Sequence, residues 1–256
     1  MKVELIPSAL GAATTTHQYL TSFLINDHVA IDVGALGFSA SLERQRGVEH
    51  VFISHTHIDH LASLPVLLEN AYDSRPQCIT VHGSEAVLDC LRRDLFNDRL
   101  WPNFIQLSET AKRPFLRLAQ ITEQRAISVC GLSILPVTVN HVVPTHGFIV
   151  DDGTAAIVIA SDTAPTELVW QLANQQPRLR AVFLEASFPE RMSALAAISK
   201  HLTPRQFAAE ARKLKREVRF IAVHIKAAHR DLVVAELAAQ GLSNIEVGIS
   251  GREYQF

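Results

Sequence analysis

Apolar positions along the chain fall into short runs of two kinds. Near the start they form β-rich stretches bounded by turn residues, at 3–6, 19–25 and 28–31, with Asn26-Asp27 as a tight turn between the last two. From Val48 onward, strand-like runs alternate with segments whose apolar residues recur at three-and-four spacing. Residues 48–54, 79–81, 132–139, 155–160, 181–184 and 219–223 read as strands. Residues 59–70, 84–95, 166–174 and 204–216 read as helices, with Ser84 and Thr203 as N-caps and Pro204 at a first helical position. A last helix starts at Asp231 and stops at Gly241. No repeat, low-complexity tract or linker divides the chain, so residues 1–256 are expected to form a single domain. Hairpins followed by mixed units predict an α/β fold of sheets covered by helices.

Composition narrows the class. With 48% hydrophobic and 20% charged residues, the 256-residue chain can bury a sizeable core, which excludes intrinsic disorder. No apolar run approaches the roughly 18–20 residues that span a bilayer. The opening Lys2, Glu4 and Pro7 suit a first strand better than a secretory leader, although residues 9–13 loosely imitate a cleavage site. Cys78, Cys90 and Cys130 form neither a disulfide framework nor a C-x-x-C knuckle, which fits a reducing cytoplasm. A net charge of −2 argues against an extended nucleic-acid surface. Twelve histidines against three cysteines then require an explanation.

The histidines fall where strands end. Val51-Phe52-Ile53-Ser54 runs into His55-Thr56-His57-Ile58-Asp59-His60, and the run at 135–140 ends at His141. Later runs end at Asp162, Glu185 and His224. In layered α/β folds the carboxyl ends of strands are where sites are built. A two-metal site needs about seven nitrogen and oxygen ligands including one bridge. His55, His57, Asp59, His60, His141, Asp162 and His224 supply that number. His55 and His57 are expected to face one ion, and Asp59 and His60 the other. Zinc is the first expectation, and manganese or iron suits the same donors.

This pattern resembles the metallo-β-lactamase fold superfamily, whose members share a four-layer αββα sandwich of two mixed β-sheets flanked by helices. They carry a dinuclear site at the sandwich edge. Asp32, in Ile31-Asp32-Val33-Gly34, matches the family's early aspartate, a supporting residue. Glu185-Ala186-Ser187-Phe188, His201-Leu202-Thr203 and His224-Ile225-Lys226 resemble the phosphodiesterase branch. That branch holds the tRNA 3′-processing endonucleases and the class II cyclic-nucleotide phosphodiesterases. Thr21-Ser22-Phe23-Leu24-Ile25, Leu95-Phe96-Asn97 with Trp101-Pro102, and Gly251 with Tyr254-Gln255-Phe256 look closer to the class II enzymes. The chain departs from their signature at Ile58, at Pro65 and at Leu67-Leu68-Glu69. No Gly/Pro-rich arm of the tRNA enzymes is visible, though residues 107–129 are long enough to hold further structure.

The resemblance implies hydrolysis of a 3′,5′-cyclic nucleotide, foremost cyclic AMP, to the 5′-monophosphate by a metal-bridged hydroxide. His201 would protonate the leaving oxygen, Glu185 would set its tautomer, and Asp59 would serve both as ligand and in catalysis. Two other readings stand beside it: an RNA 3′-end nuclease of the same superfamily, and a non-catalytic metal-binding scaffold. The expected partner is a small nucleotide; a homodimer is compatible with the sequence. His146 competes with His141 as a ligand and is assigned to the substrate pocket, because His141 ends its strand directly. Trp101 and Phe104 either form a lid stacking a purine, worth about 1–3 kcal/mol per base, or anchor their loop to the core. His17 and His82 read as structural, and His28, His50 and His229 as solvated. The basic run Arg205, Arg212, Lys213, Lys215, Arg216 and Arg219 reads as a solvated face or a steering patch for an anion.

Overall fold

Strands buried on both faces read as continuous apolar runs, and the computed structural model shows why the runs here do so. It describes residues 1–8, 17–72 and 77–256; the cleavage-like stretch at 9–13 lies outside them. Along each strand, alternate side chains enter different layers. Ile157 and Ile159 lie between the two sheets, while Val158 and Ala160 face helices. Likewise Phe183 and Ile221 face the opposite sheet, and Leu184 and Phe220 the helices. Burying each of these side chains larger than alanine is worth about 1.5–3 kcal/mol.

Among the described residues there are two seven-stranded sheets. The first, in spatial order, is β14 (Glu253–Gln255), β1 (Lys2–Leu5), β2 (Ser22–Ile25), β3 (Val29–Val33), β4 (His50–Phe52), β5 (Ile79–Gly83) and β6 (Leu116–Gln120). The second is β13 (Ile245–Val247), β12 (Arg219–Val223), β11 (Leu179–Glu185), β10 (Ala156–Ile159), β9 (Thr145–Asp151), β8 (Leu132–Val139) and β7 (Ile127–Val129). Both are mixed. β3 to β6 are parallel and β14 to β3 antiparallel; β10 to β13 are parallel and β7 to β10 antiparallel. Phe23 meets Phe183, and Phe52 meets Phe148, edge to face across the central layer. Leu64, Leu67, Leu68, Val87 and Leu91 cover the first sheet from its helices. Trp170, Phe207, Val233 and Leu237 cover the second. The result is the expected αββα sandwich.

Several elements differ from the periodic reading, each for a local reason. The segment 59–70 is two helices, Ile58–Leu61 and Leu64–Ala71, because Pro65 lacks an amide hydrogen and opens the second. Helix Pro204–Ala211 ends five residues before Arg216. Lys213 Nζ turns back to Thr166 O at 2.7 Å and Lys215 N–H to Asn174 at 2.8 Å, so this basic stretch is tied down rather than a helical face. β9 went unread because Pro144 and Gly147 imitate a turn; a Cβ at Gly147 would stand 3.0 Å from Ala160 O, so glycine lets β9 approach β10. Residues 107–129 end helix Phe104–Thr110 and then supply β6 and β7, one edge of each sheet. The Asn26-Asp27 turn has both residues left-handed, with φ of 48° and 64°, as a tight hairpin requires. No helix among the described residues is long and apolar enough to cross a membrane.

Candidate metal centre

Strands that run in the same direction, those of the parallel halves together with β8, bring their carboxyl ends to one edge. β4 runs out through Ile53 and Ser54 to His55, β8 to His141, β10 to Asp162, β11 to Glu185 and β12 to His224. All seven expected ligands meet there. The ligand atoms of His55, His57, His141 and Asp162 lie within 4.8 Å of one another, as do those of Asp59, His60 and His224. Asp162 faces both groups. Its Oδ2 is 3.3 Å from His60 Nε2 and 3.7 Å from His55 Nε2, and its Oδ1 is 3.5 Å from His224 Nε2. His57 Nδ1 stands 3.3 Å from His141 Nε2, and Asp59 Oδ2 is 3.2 Å from His224 Nε2.

These side chains fit divalent metal ions. His55 Nε2 and His60 Nε2 are buried without a hydrogen-bond partner, a state that costs about 1–3 kcal/mol per group unless something binds them. The opposite ring nitrogens are engaged: His60 Nδ1 donates to Asp32 at 2.7 Å and His141 Nδ1 to Lys200 O at 3.1 Å. His55 Nδ1 lies 2.9 Å from Ser54 Oγ, and His224 Nδ1 3.0 Å from Ser187 Oγ. These four imidazoles thus turn the other nitrogen, Nε2, toward the cluster, as metal-ligating histidines do.

Electrostatics agree with a cation there. Burial, with His60 nearby, pushes His55 down to about 2, and burial also lowers His57 and His141, leaving neutral rings fit to ligate. Burial opposes the charge on Asp162, yet His224 and His60 hold it well below the usual carboxylate range. Burial likewise opposes protonation of His60, but Asp162 and Asp32 raise it well above the ordinary value. A metal ion at Nε2 would take the place of that proton.

The backbone at this edge is strained. Asp32, Ser161 and His224 are non-glycine residues with φ of 55°, 56° and 54°, a conformation that costs roughly 1–2 kcal/mol each. Hydrogen bonds hold two of them: Ser54 N–H and Oγ both donate to Asp32 at 2.8 Å, and His224 N–H donates to Gln18 Oε1 at 2.7 Å. Gly34 has no room for a side chain, because a Cβ would lie 2.0 Å from Asp59 O. That close approach lets Thr21 N–H bond Asp59 O at 2.8 Å.

Beside the cluster, His201 Nδ1 donates to Glu185 Oε1 at 2.7 Å. Glu185 also accepts from Thr163 N–H, Ser187 Oγ and Leu202 N–H at 2.8, 2.6 and 3.2 Å. Burial disfavours a charged His201, but Glu185 raises its pKa above the ordinary value. Its ring is 5.0 Å from His141 and stacks on His224 at 5.5 Å. Lys226 Nζ stands 3.5 Å from Asp59 at the mouth. Sequence alone does not single out Gln18, Ser54, Thr163, Lys200 or Lys226 as site residues; Ser54, Thr163 and Lys200 adjoin His55, Asp162 and His201, and Lys226 lies two residues after His224, but nothing near Gln18 signals it.

The pocket expectations fare differently. Phe104 is 6% exposed and stacks on Phe115 at 4.2 Å in the first sheet's helical core, so no face is open to a base. Trp101, partly buried, packs edge-on against Phe104; the packing of Phe104 suits the core-anchor alternative, because burying a large ring outweighs presenting it to solvent. His146 lies buried in β9, its N–H bonding Ser54 O at 3.1 Å behind the ligand loop. His82 stacks on Phe52 at 4.2 Å, and His50, expected to be solvated, meets His82 at 2.9 Å. A cavity of about 700 Å³ opens at the other end of the second sheet beside Cys130 and Asp152, and none of the ligands lines it.

An αββα sandwich with imidazoles and carboxylates converging on the shared carboxyl edge of its sheets defines the metallo-β-lactamase fold. A profile described as "Beta-lactamase superfamily domain" matches residues 33–225, and the chain belongs to that family. A "Probable 3′,5′-cyclic-nucleotide phosphodiesterase" of Yersinia pestis is 25% identical over 240 residues, covering 77% of this chain and 68% of that protein. A Ribonuclease Z of Mycobacterium bovis is 24% identical over 182 residues, covering 65% of this chain and 61% of the relative's length. The crystal structure of unliganded yeast PDE1 shares the fold, with a TM-score of 0.79 over 98% of both chains at 17% identity.

Proposed function

We propose that the protein is a two-metal phosphodiesterase that hydrolyses cyclic AMP, or a related 3′,5′-cyclic nucleotide, to the 5′-monophosphate. The observation that carries this reading is the pair of ligand clusters with Asp162 facing both, and His201 and Glu185 beside them. His55, His57 and His141 would hold one ion, Asp59, His60 and His224 the other, and Asp162 both; zinc suits these donors, as do manganese and iron. When bound, the ions supply Lewis acidity and a nucleophilic oxygen at neutral pH. Glu185 accepts from His201 Nδ1 and favours the charged ring, which then carries at Nε2 the proton for the departing 3′ oxygen. Both sheets contribute ligands, which supports residues 1–256 acting as one hydrolase unit. The free thiols of Cys78 and Cys90 are compatible with a cytoplasmic setting.

Lys226 supplies positive charge for the phosphoryl anion. A charge-assisted hydrogen bond of this kind contributes about 1.5–3 kcal/mol, so Lys226→Met should lower kcat/KM roughly 10–100-fold, mainly through KM. Wild-type KM should rise with ionic strength and that of the variant should not; an unchanged KM in Lys226→Met removes Lys226 from substrate binding.

RNA 3′-end processing is the second reading, favoured by the likeness to Ribonuclease Z. Turnover of cyclic AMP, bis(p-nitrophenyl) phosphate and a 3′-extended tRNA precursor by the same metal-loaded sample separates the two. The cyclic nucleotide should be the best substrate; efficient precursor cleavage with no cyclic AMP hydrolysis would replace this proposal with the second.

A further inference from the structure

A lysine occupies a backbone position that favours glycine. Helix Ser193–Ser199 ends at Lys200, whose φ of 54° puts it in the left-handed region. Helix ends select glycine there because a side chain strains the turn. The N–H groups of Lys200 and His201 turn back on Ala197 O and Ala196 O. Those bonds account for the left-handed turn but not for lysine.

The side chain explains the lysine. Lys200 Nζ donates to His141 O at 3.1 Å, while His141 Nδ1 donates to Lys200 O, also at 3.1 Å. Residues 59 apart in sequence are thereby joined at two points. One partner is a ligand of the cluster, with its Nε2 turned toward His57. The residue after the other is His201, fixed by Glu185. Val142, next to His141, is half exposed, so the outer side of this loop gives little packing support.

We propose that Lys200 is a positioning residue whose paired bonds hold the ligand His141 and the proton donor His201 at a fixed separation. Metal affinity and proton delivery are then set by one contact. The inference rests on the metal reading of the site.

The test compares Lys200→Gly, which relieves the backbone and removes the ammonium, with Lys200→Arg, which keeps a donor in the same conformation. Zinc affinity is measured by competition with a chelating indicator, and folding by thermal melting of the metal-stripped proteins. Lys200→Gly should melt no lower than wild type, yet bind zinc about 10–100-fold more weakly and lose kcat with KM little changed. Lys200→Arg should restore affinity toward wild type. If Lys200→Gly binds zinc as tightly as wild type, the lysine only caps a helix and the proposal fails. A melt well below that of Lys200→Arg would assign it a structural role and also overturn the proposal. If wild type itself binds no zinc, the metal reading fails and takes this inference with it.

Discussion

Asp162→Asn should leave the fold intact and abolish hydrolysis. The amide has nearly the shape of the carboxylate but no charge, and the carboxylate faces both halves of the cluster, within 3.3–3.7 Å of His60, His224 and His55. Losing that charge should release both ions, and kcat/KM should fall at least about 1,000-fold, because in the proposed reaction the ions supply the nucleophilic oxygen. Elemental analysis beside the rate measurement checks this. A variant that retained two ions and wild-type turnover would show that Asp162 does not join the two halves.

His201→Ala should cost about 100–10,000-fold, and the size should depend on the leaving group. A sugar alkoxide needs a proton and p-nitrophenolate does not, so the loss should be large on cyclic AMP and small on bis(p-nitrophenyl) phosphate. Equal losses on both would assign His201 to binding rather than proton delivery. The pH profile supplies an independent check. Activity needs the protonated ring, so it should decline as pH rises through the His201 pKa, which burial opposes and Glu185 raises above the ordinary value. Glu185→Gln removes the raising charge. The alkaline limb should therefore move to lower pH, while the acidic limb stays in place. An unmoved alkaline limb would mean that another group carries the proton.

Much of this centre was legible in the sequence because its signals are local. An apolar strand that ends on an imidazole or carboxylate announces itself, and five did so, from Ser54-His55 to Val223-His224. The helix start after His201 was legible too: Thr203 N–H bonds Gln206 Oε1 at 3.0 Å and Pro204 follows the cap. What could not be read depends on distant partners. Gln18 reaches His224 across 206 positions, and Lys200 reaches His141 across 59. Such pairs exist only once the sheets have packed, and no periodicity encodes them. The left-handed backbone at Asp32, Ser161 and His224 is of the same kind, since nothing in those residue types demands it. Phe104 shows the converse limit: an aromatic after a polar loop suits a lid and a core equally until the stacking partner Phe115 is known.

In the proposed reaction this cluster holds the metal ions on which phosphodiester hydrolysis depends. The most direct test is the metal content of the purified protein, measured on the sample used for cyclic AMP hydrolysis, before and after chelation. Two equivalents per chain are expected, with activity lost as they are removed and regained when zinc or manganese is returned. Undiminished hydrolysis by protein stripped of both equivalents would contradict that dependence.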